Sequence, residues 1–331
     1  MRFRKFWPWP VILFCAVAIA GLVPASASAS ELLVLSKDEN SIAFVDPDSG
    51  KVTGRLAVGE QPHNIAVTAD GKLAFVTNRG KKFGETISVV DVAARKELRR
   101  VPVGHGSDPH GMVFTAGKAY FTAGGYKAIG ALDADYNQVD WFLGLGQSGT
   151  ETMLVNSDGS KIYTANANSD NISIFERVAN PPDWKITVVA VGKGPQPMDV
   201  SPDGKELWVG NGGDGMLSIF DTATNKIKQT LDMKTKGANR LKFTPDGKRV
   251  VLSDRDGGDL LVFEAATRKE LKRIKLGKRP TDILISPDGS RAFIAVASDD
   301  QIAVFDLKTL EVVNRISAGV NPEGMAWVRS K

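Results

Sequence analysis

The sequence predicts an all-β fold, a seven-bladed β-propeller with four-stranded antiparallel blades. Three observations carry that expectation: a recurring glycine turn, an acidic residue ending a strand at the same period, and four short β-rich runs within each period. The turn stands at Asp70-Gly71, Ala116-Gly117, Asp158-Gly159, Asp203-Gly204, Asp246-Gly247 and Asp288-Gly289, with glycine spacings of 46, 42, 45, 43 and 42 residues. The acidic marker stands at Asp46, Asp91, Asp133, Glu176, Asp221, Glu264 and Asp306, spaced by 45, 42, 43, 45, 43 and 42. Seven markers at one period mean seven structural units, and a period of this length with four strands is that of a propeller blade.

The unit between Met198 and Leu231 shows the strand order most clearly. Met198 to Ser201 ends an inner strand. Pro202-Asp203-Gly204-Lys205 is a tight turn in which Gly supplies a positive φ. Glu206 to Gly210 and Met216 to Phe220 are the second and third strands, joined by the loop Asn211 to Gly215. A turn from Asp221 to Asn225 leads to the fourth strand, Lys226 to Leu231. Glu31-Leu32-Leu33-Val34 aligns with the second strand of a unit, and Pro322 to Trp327 aligns with the first. The last strand is therefore expected to complete the blade begun by the first, closing the ring. Loss of residues 320–331 should destabilise the whole fold.

Composition sets the class. With 42% hydrophobic and 24% charged residues among 331, the chain is globular, which excludes disorder and collagen. A single Cys excludes a disulfide framework and a Cys-based zinc site. Residues 1–29 read as a secretory signal, with Arg2, Arg4 and Lys5 before a short apolar stretch from Val11 to Val23. Small residues place cleavage after Ala29 or Ala27, and residues 30–331 are then the propeller. Cys15 follows Phe14 inside the apolar stretch, which argues against lipidation. Loss of three cations and no acid takes the net charge from +4 to +1. The mature chain is thus expected in a periplasm or outside the cell, as a monomer, without a membrane span and without a nucleic-acid partner.

The run Phe75-Val76-Thr77-Asn78 resembles the tetrapeptide of the YVTN β-propeller repeat family. Tyr163-Thr164-Ala165-Asn166 and Trp208-Val209-Gly210-Asn211 are variants of it. Ser201 to Lys205 and Asp221 to Lys226 also resemble that repeat, whereas the units at 118–133 and 291–297 depart from the tetrapeptide. The resemblance spans the mature chain and implies the propeller fold rather than one activity. Some relatives accompany quinone-dependent alcohol dehydrogenase systems, and others are similar to lactonase-type propellers.

Aligning the seven units places His63, His110, Glu151, Gln196, Asn239, Thr281 and Glu323 in one column at the starts of the inner strands. Every member is polar, so the column is read as a hydrated channel mouth that binds a ligand. Crowded strand ends that hydrogen-bond one another and trapped water give the same pattern. His63, His110, Glu151 and Glu323 come from consecutive blades and are candidate ligands for a divalent metal such as zinc, although no HExxH-type motif supports one. Arg240 is the candidate anion contact, or else the partner of Asp282.

Other motifs point away from chemistry. Asp254 to Asp259 lacks the twelfth-position Glu of a calcium loop. The loop glycines precede no helix, and no nucleophile elbow is present. Arg79 to Phe83 is a small basic loop. Arg177 to Trp184 is an insertion in which Trp184 either contacts a partner or packs on its own blade. The expected function is a binding or scaffold module for a periplasmic protein or small ligand, acting through the channel mouth. The alternatives are a lactonase-like hydrolase using His63, His110, Glu151 and Arg240, and an accessory to a quinone- or cytochrome-linked dehydrogenase.

Overall fold

Each period folds as four antiparallel strands because its runs are short, β-branched and punctuated by residues that accept positive φ. A computed structural model describes residues 30–81, 84–178 and 184–328, so the leader expected at 1–29 lies outside the described residues. The described residues form seven separate four-stranded sheets. We number the blades by their inner strands: Pro322–Val328 for blade 1, Pro62–Val67 for blade 2 and Pro109–Thr115 for blade 3. Thr150–Val155, Pro195–Val200, Ala238–Phe243 and Pro280–Ile285 begin blades 4 to 7. No described helix is long and apolar enough to cross a membrane.

Blade 1 is composite, as expected. Its sheet order places Pro322–Val328 beside Glu31–Ser36, followed by Ser41–Val45 and Val52–Ala57. Leu33 pairs with Ala326, and Leu32 with Trp327. Among the described residues no hydrogen-bonded ladder runs from blade to blade. Packing holds the ring together: seven apolar clusters are each shared by two consecutive blades. One joins Leu32, Val34 and Ala43 of blade 1 to Phe293, Ala295 and Ile302 of blade 7. Another joins Trp208, Leu217 and Ile219 of blade 5 to Leu241, Val250 and Leu252 of blade 6.

The repeat tetrapeptide has a physical reading at each position. Its first residue is Phe75, Tyr163 or Trp208 and fills an inter-blade layer. Its last residue is a buried Asn that donates across to a serine on the third strand. Asn78 reaches Ser88 at 2.9 Å, Asn166 reaches Ser173 at 2.9 Å, and Asn211 reaches Ser218 at 3.2 Å.

The third position explains the channel. Every inner strand begins with a bulge, in which the pairing register slips by one residue. In blade 2, Pro62 pairs with Asn78 and Ile65 with Val76, so His63 and Asn64 together face Thr77. A bulge leaves backbone groups outside the ladder. The Thr77 hydroxyl accepts from the freed Asn64 N–H at 3.1 Å and donates to the His110 carbonyl of blade 3 at 2.8 Å. Ser253 does the same between the Arg240 N–H of blade 6, at 3.1 Å, and the Thr281 carbonyl of blade 7, at 2.8 Å.

The insertion on blade 4 is partly described. Trp184 packs edge-on against Phe175 of its own blade, with ring centroids 6.4 Å apart, and the Arg177 guanidinium lies over its ring at 5.2 Å. Trp184 is therefore held by its own blade's flank.

Two outcomes follow from this architecture. Deleting residues 322–331 leaves blade 1 with three strands and exposes two inter-blade layers. Such a chain is expected to lose its cooperative melt by circular dichroism. Thr77→Val keeps the shape but leaves a buried N–H and a carbonyl unpaired, and should lower stability by about 1–3 kcal/mol in urea melts. Thr77→Ser restores most of that loss.

Candidate functional site

The bulge aims one side chain per blade into the channel. His63, His110, Glu151, Gln196, Asn239, Thr281 and Glu323 are each the second residue of an inner strand, and all seven line one cavity of about 130 Å³. The backbone just before them is fixed as well. Gln61, Gly194 and Asn321 have left-handed φ of 53°, 59° and 53°. Their N–H groups donate to Asn40, Asp170 and Asp300 at 2.8 to 2.9 Å.

Around the mouth these residues form a chain of contacts. Lys37 lies 3.5 Å from Glu323, and Glu323 Oε2 lies 4.0 Å from His63 Nε2. The His63 and His110 rings lie against one another with centroids 3.8 Å apart. His110 Nε2 is 3.7 Å from Glu151 Oε2. Gln196 donates to Glu151 at 2.7 Å, and Asn239 donates to Gln196 at 3.2 Å.

The imidazole tautomers follow from their partners. His110 Nδ1 is 3.0 Å from the Glu151 carbonyl, which only accepts, so Nδ1 carries the proton and Nε2 is a bare lone pair. His63 Nδ1 faces the Asn64 amide nitrogen at 3.2 Å, which only donates, so His63 carries its proton on Nε2, toward Glu323. Both rings are buried, at 8% and 3% exposure. Burial holds both well below the ordinary value of 6.5, with each other's charge and the nearby arginines adding to the effect on His63. Burial raises Glu323, against the pull of Lys37 and Arg240.

The candidate metal ligands His63, His110, Glu151 and Glu323 are not drawn into one group. Among the described residues no three of His, Cys, Asp and Glu are grouped to hold an ion. The two imidazoles stack against one another, and each carboxylate stands beside a different ring. Arg240 takes the simpler of its two expected roles: it pairs with Asp282 at 3.1 Å while still lining the mouth. Asp282 also accepts the Met325 N–H of blade 1 at 2.9 Å.

The structure adds cations that sequence alignment missed. Lys37, Arg79, Arg255 and Arg279 line the same cavity. Lys37, Arg79 and Arg255 share one repeat position, the residue directly after the second strand. Carrying the column comparison to that position would have found them. Arg79 pairs with Asp108 at 2.9 Å, and Arg255 with Asp256 at 3.0 Å. Among the described residues Arg279 has no ion-pair partner within 4.0 Å. The basic loop expected at Arg79 to Phe83 thus contributes Arg79 to the mouth, while Lys82 and Phe83 lie outside the described residues. Below the mouth, a second cavity of about 210 Å³ shares Glu151 and Arg240 with it and is also lined by Asn64, Thr152 and Lys242.

Comparison with known proteins places the fold in context. The family described as Cytochrome D1 heme domain matches residues 163–289. Among curated proteins none matches. Hydrazine synthase from Kuenenia stuttgartiensis has a similar structure, with a TM-score of 0.74 at 20% identity over 85% of this chain and 93% of that one. The Pseudomonas aeruginosa periplasmic gluconolactonase PpgL gives 0.74 at 18% identity, over 91% and 99%. The dihydro-heme d1 dehydrogenase NirN gives 0.64 at 13%, over 89% and 74%. At such identities the likeness is one of fold.

A d1 heme does not fit the mouth. The arginines suit the carboxylates at a macrocycle's edge, but about 130 Å³ is well below the ~300–1,000 Å³ of a site for a drug-sized ligand. The matched segment 163–289 also contains no histidine to reach an iron.

The buried imidazoles make stability depend on pH. Their folded values are depressed, so the unfolded chain binds more protons below its own value near 6.5. Stability is full above that pH and is lost as pH falls below it. Glu323 opposes the slope, since its raised folded value relieves a cost as it protonates. The melting temperature should fall between pH 6.5 and 5, and His63→Asn with His110→Asn should flatten that fall.

Proposed function

We propose that this chain is an exported binding module whose channel mouth takes a small anionic ligand. One observation carries the reading: Lys37, Arg79, Arg240, Arg255 and Arg279 converge on a cavity that holds only two carboxylates, Glu151 and Glu323. Guanidinium groups that converge on a partly enclosed mouth can pair a carboxylate or phosphate bidentately, Arg240 from a mostly buried position and Arg279 from an exposed one. Arg279, without an ion-pair partner among the described residues, is the strongest free contact. The leader at 1–29 supports export, and the repeat tetrapeptide supports membership of the YVTN repeat family. The same rim would serve a protein partner that presents a carboxylate there.

A second reading is a lactonase-like hydrolase. The bare Nε2 of His110 favours it, because a neutral imidazole lone pair beside Glu151 can take a proton from water, with Arg79 and Arg240 near a developing oxyanion. The likeness to a periplasmic gluconolactonase is in keeping with that reading. The match to a heme-domain family supports a third, accessory role beside a redox enzyme.

Calorimetric titration with a small carboxylate tests the first reading. Arg279→Gln should weaken binding about tenfold and leave the melting temperature within a degree or two, as for loss of one charge-assisted contact. Unchanged affinity in Arg279→Gln would count against the mouth as the site. Turnover of lactones that disappears in His110→Gln at unchanged melting temperature would favour the hydrolase instead.

A further inference from the structure

The cations explain an anion, but they leave the other half of the mouth unexplained. His110 Nε2 and Glu151 Oε2 face each other at 3.7 Å. The first is a lone pair, because Nδ1 of the same ring spends its proton on the Glu151 carbonyl. The second is a carboxylate oxygen that receives one hydrogen bond, from Gln196 at 2.7 Å, and retains further acceptor capacity. Two acceptors this close, one on a buried ring and one on a carboxylate 29% exposed, repel each other unless a donor, from water or a ligand, stands between them or beside both. His63 cannot supply it, since its Nε2 proton points to Glu323. Among the cations of the mouth, the Arg79 Nη2 group lies 3.9 Å from the other oxygen, Glu151 Oε1.

We infer that the mouth binds a small zwitterion, an α-amino acid whose ammonium bridges His110 Nε2 and Glu151 Oε2 and whose carboxylate lies on the arginines. The inference rests on the anion-binding reading above and adds to it the group at the ligand's other end. An ammonium offers three donors and no acceptor, so it satisfies both facing acceptors at once. A hydroxyl offers one proton, and a methyl none. Size agrees: about 130 Å³ is the room of about four waters, enough for a small amino acid. Charge agrees as well, because the ammonium adds a positive charge beside Glu151, while the carboxylate faces a cavity lined by arginines, of which Arg79 lies nearest Glu151.

L-alanine, L-lactate and propionate differ only in the ammonium, hydroxyl or hydrogen on the α-carbon, so they isolate the bridging group. Calorimetric titration of the full chain at pH 7 should show alanine binding at least about tenfold more tightly than propionate, with lactate between them. Glu151→Gln and His110→Phe should each erase the preference for alanine over propionate, with folding checked by thermal melts. If one variant does not fold, the other still decides the point. Arg279→Gln should weaken all three ligands together. Alanine binding no tighter than lactate or propionate overturns the zwitterion and leaves the anion-binding mouth standing. A preference that survives both Glu151→Gln and His110→Phe also overturns it. Absence of binding by all three overturns the zwitterion and the anion-binding mouth together.

Discussion

The bulge at the head of each inner strand, held in blades 2, 3 and 6 by a hydroxyl from the neighbouring strand, is the constraint on which the rest of this molecule depends. Without the extra residue, alternation would turn His63 or Thr281 toward a blade interface. With it, one side chain per blade turns toward the axis. Thr77 and Ser253 make this affordable by meeting the freed N–H and also gripping the carbonyl of the next blade's mouth residue. One oxygen thus couples local register, inter-blade spacing and the aim of a functional side chain.

The mouth that results is a place of uneven charge. Five cationic side chains meet two carboxylates and a neutral imidazole pair. Glu323 stands at long range from both Lys37 and His63, so it compensates the cations only loosely. Asp108, Asp256 and Asp282 each tie one arginine from outside the cavity and hold it in place without filling the centre. Charged groups placed in advance around a small volume lose little freedom when a ligand arrives.

The sequence made the ring and its axis legible because both are periodic. Six glycine turns and seven acidic strand ends set the register, and that register put His63, His110, Glu151, Gln196, Asn239, Thr281 and Glu323 on one circle. The composite blade was legible from the alignment of Glu31 to Val34 with second strands. What lay out of reach was anything decided by direction in space. The stacking of His63 on His110 depends on two adjacent bulges, and the tautomers depend on a carbonyl and an amide that only the fold brings near. The metal set followed from residue types, yet residue types do not say that imidazoles will face one another. Lys37, Arg79 and Arg255 were within reach, one position beyond the tetrapeptide. Arg279 was within reach too, since it stands directly before an inner strand, at the position of Gln61 and Asn321 and two residues ahead of Thr281.

Glu323 sits on the strand Pro322–Val328, the last of the described strands in chain order. The cavity needs that strand for its seventh side chain and for the apolar layers on either side of blade 1. Until that strand pairs with Glu31–Ser36, the ring lacks its seventh inner strand and the mouth lacks one wall. Closing the ring and completing the mouth are thus one event, in which strands from the two ends of the described chain meet in a single sheet.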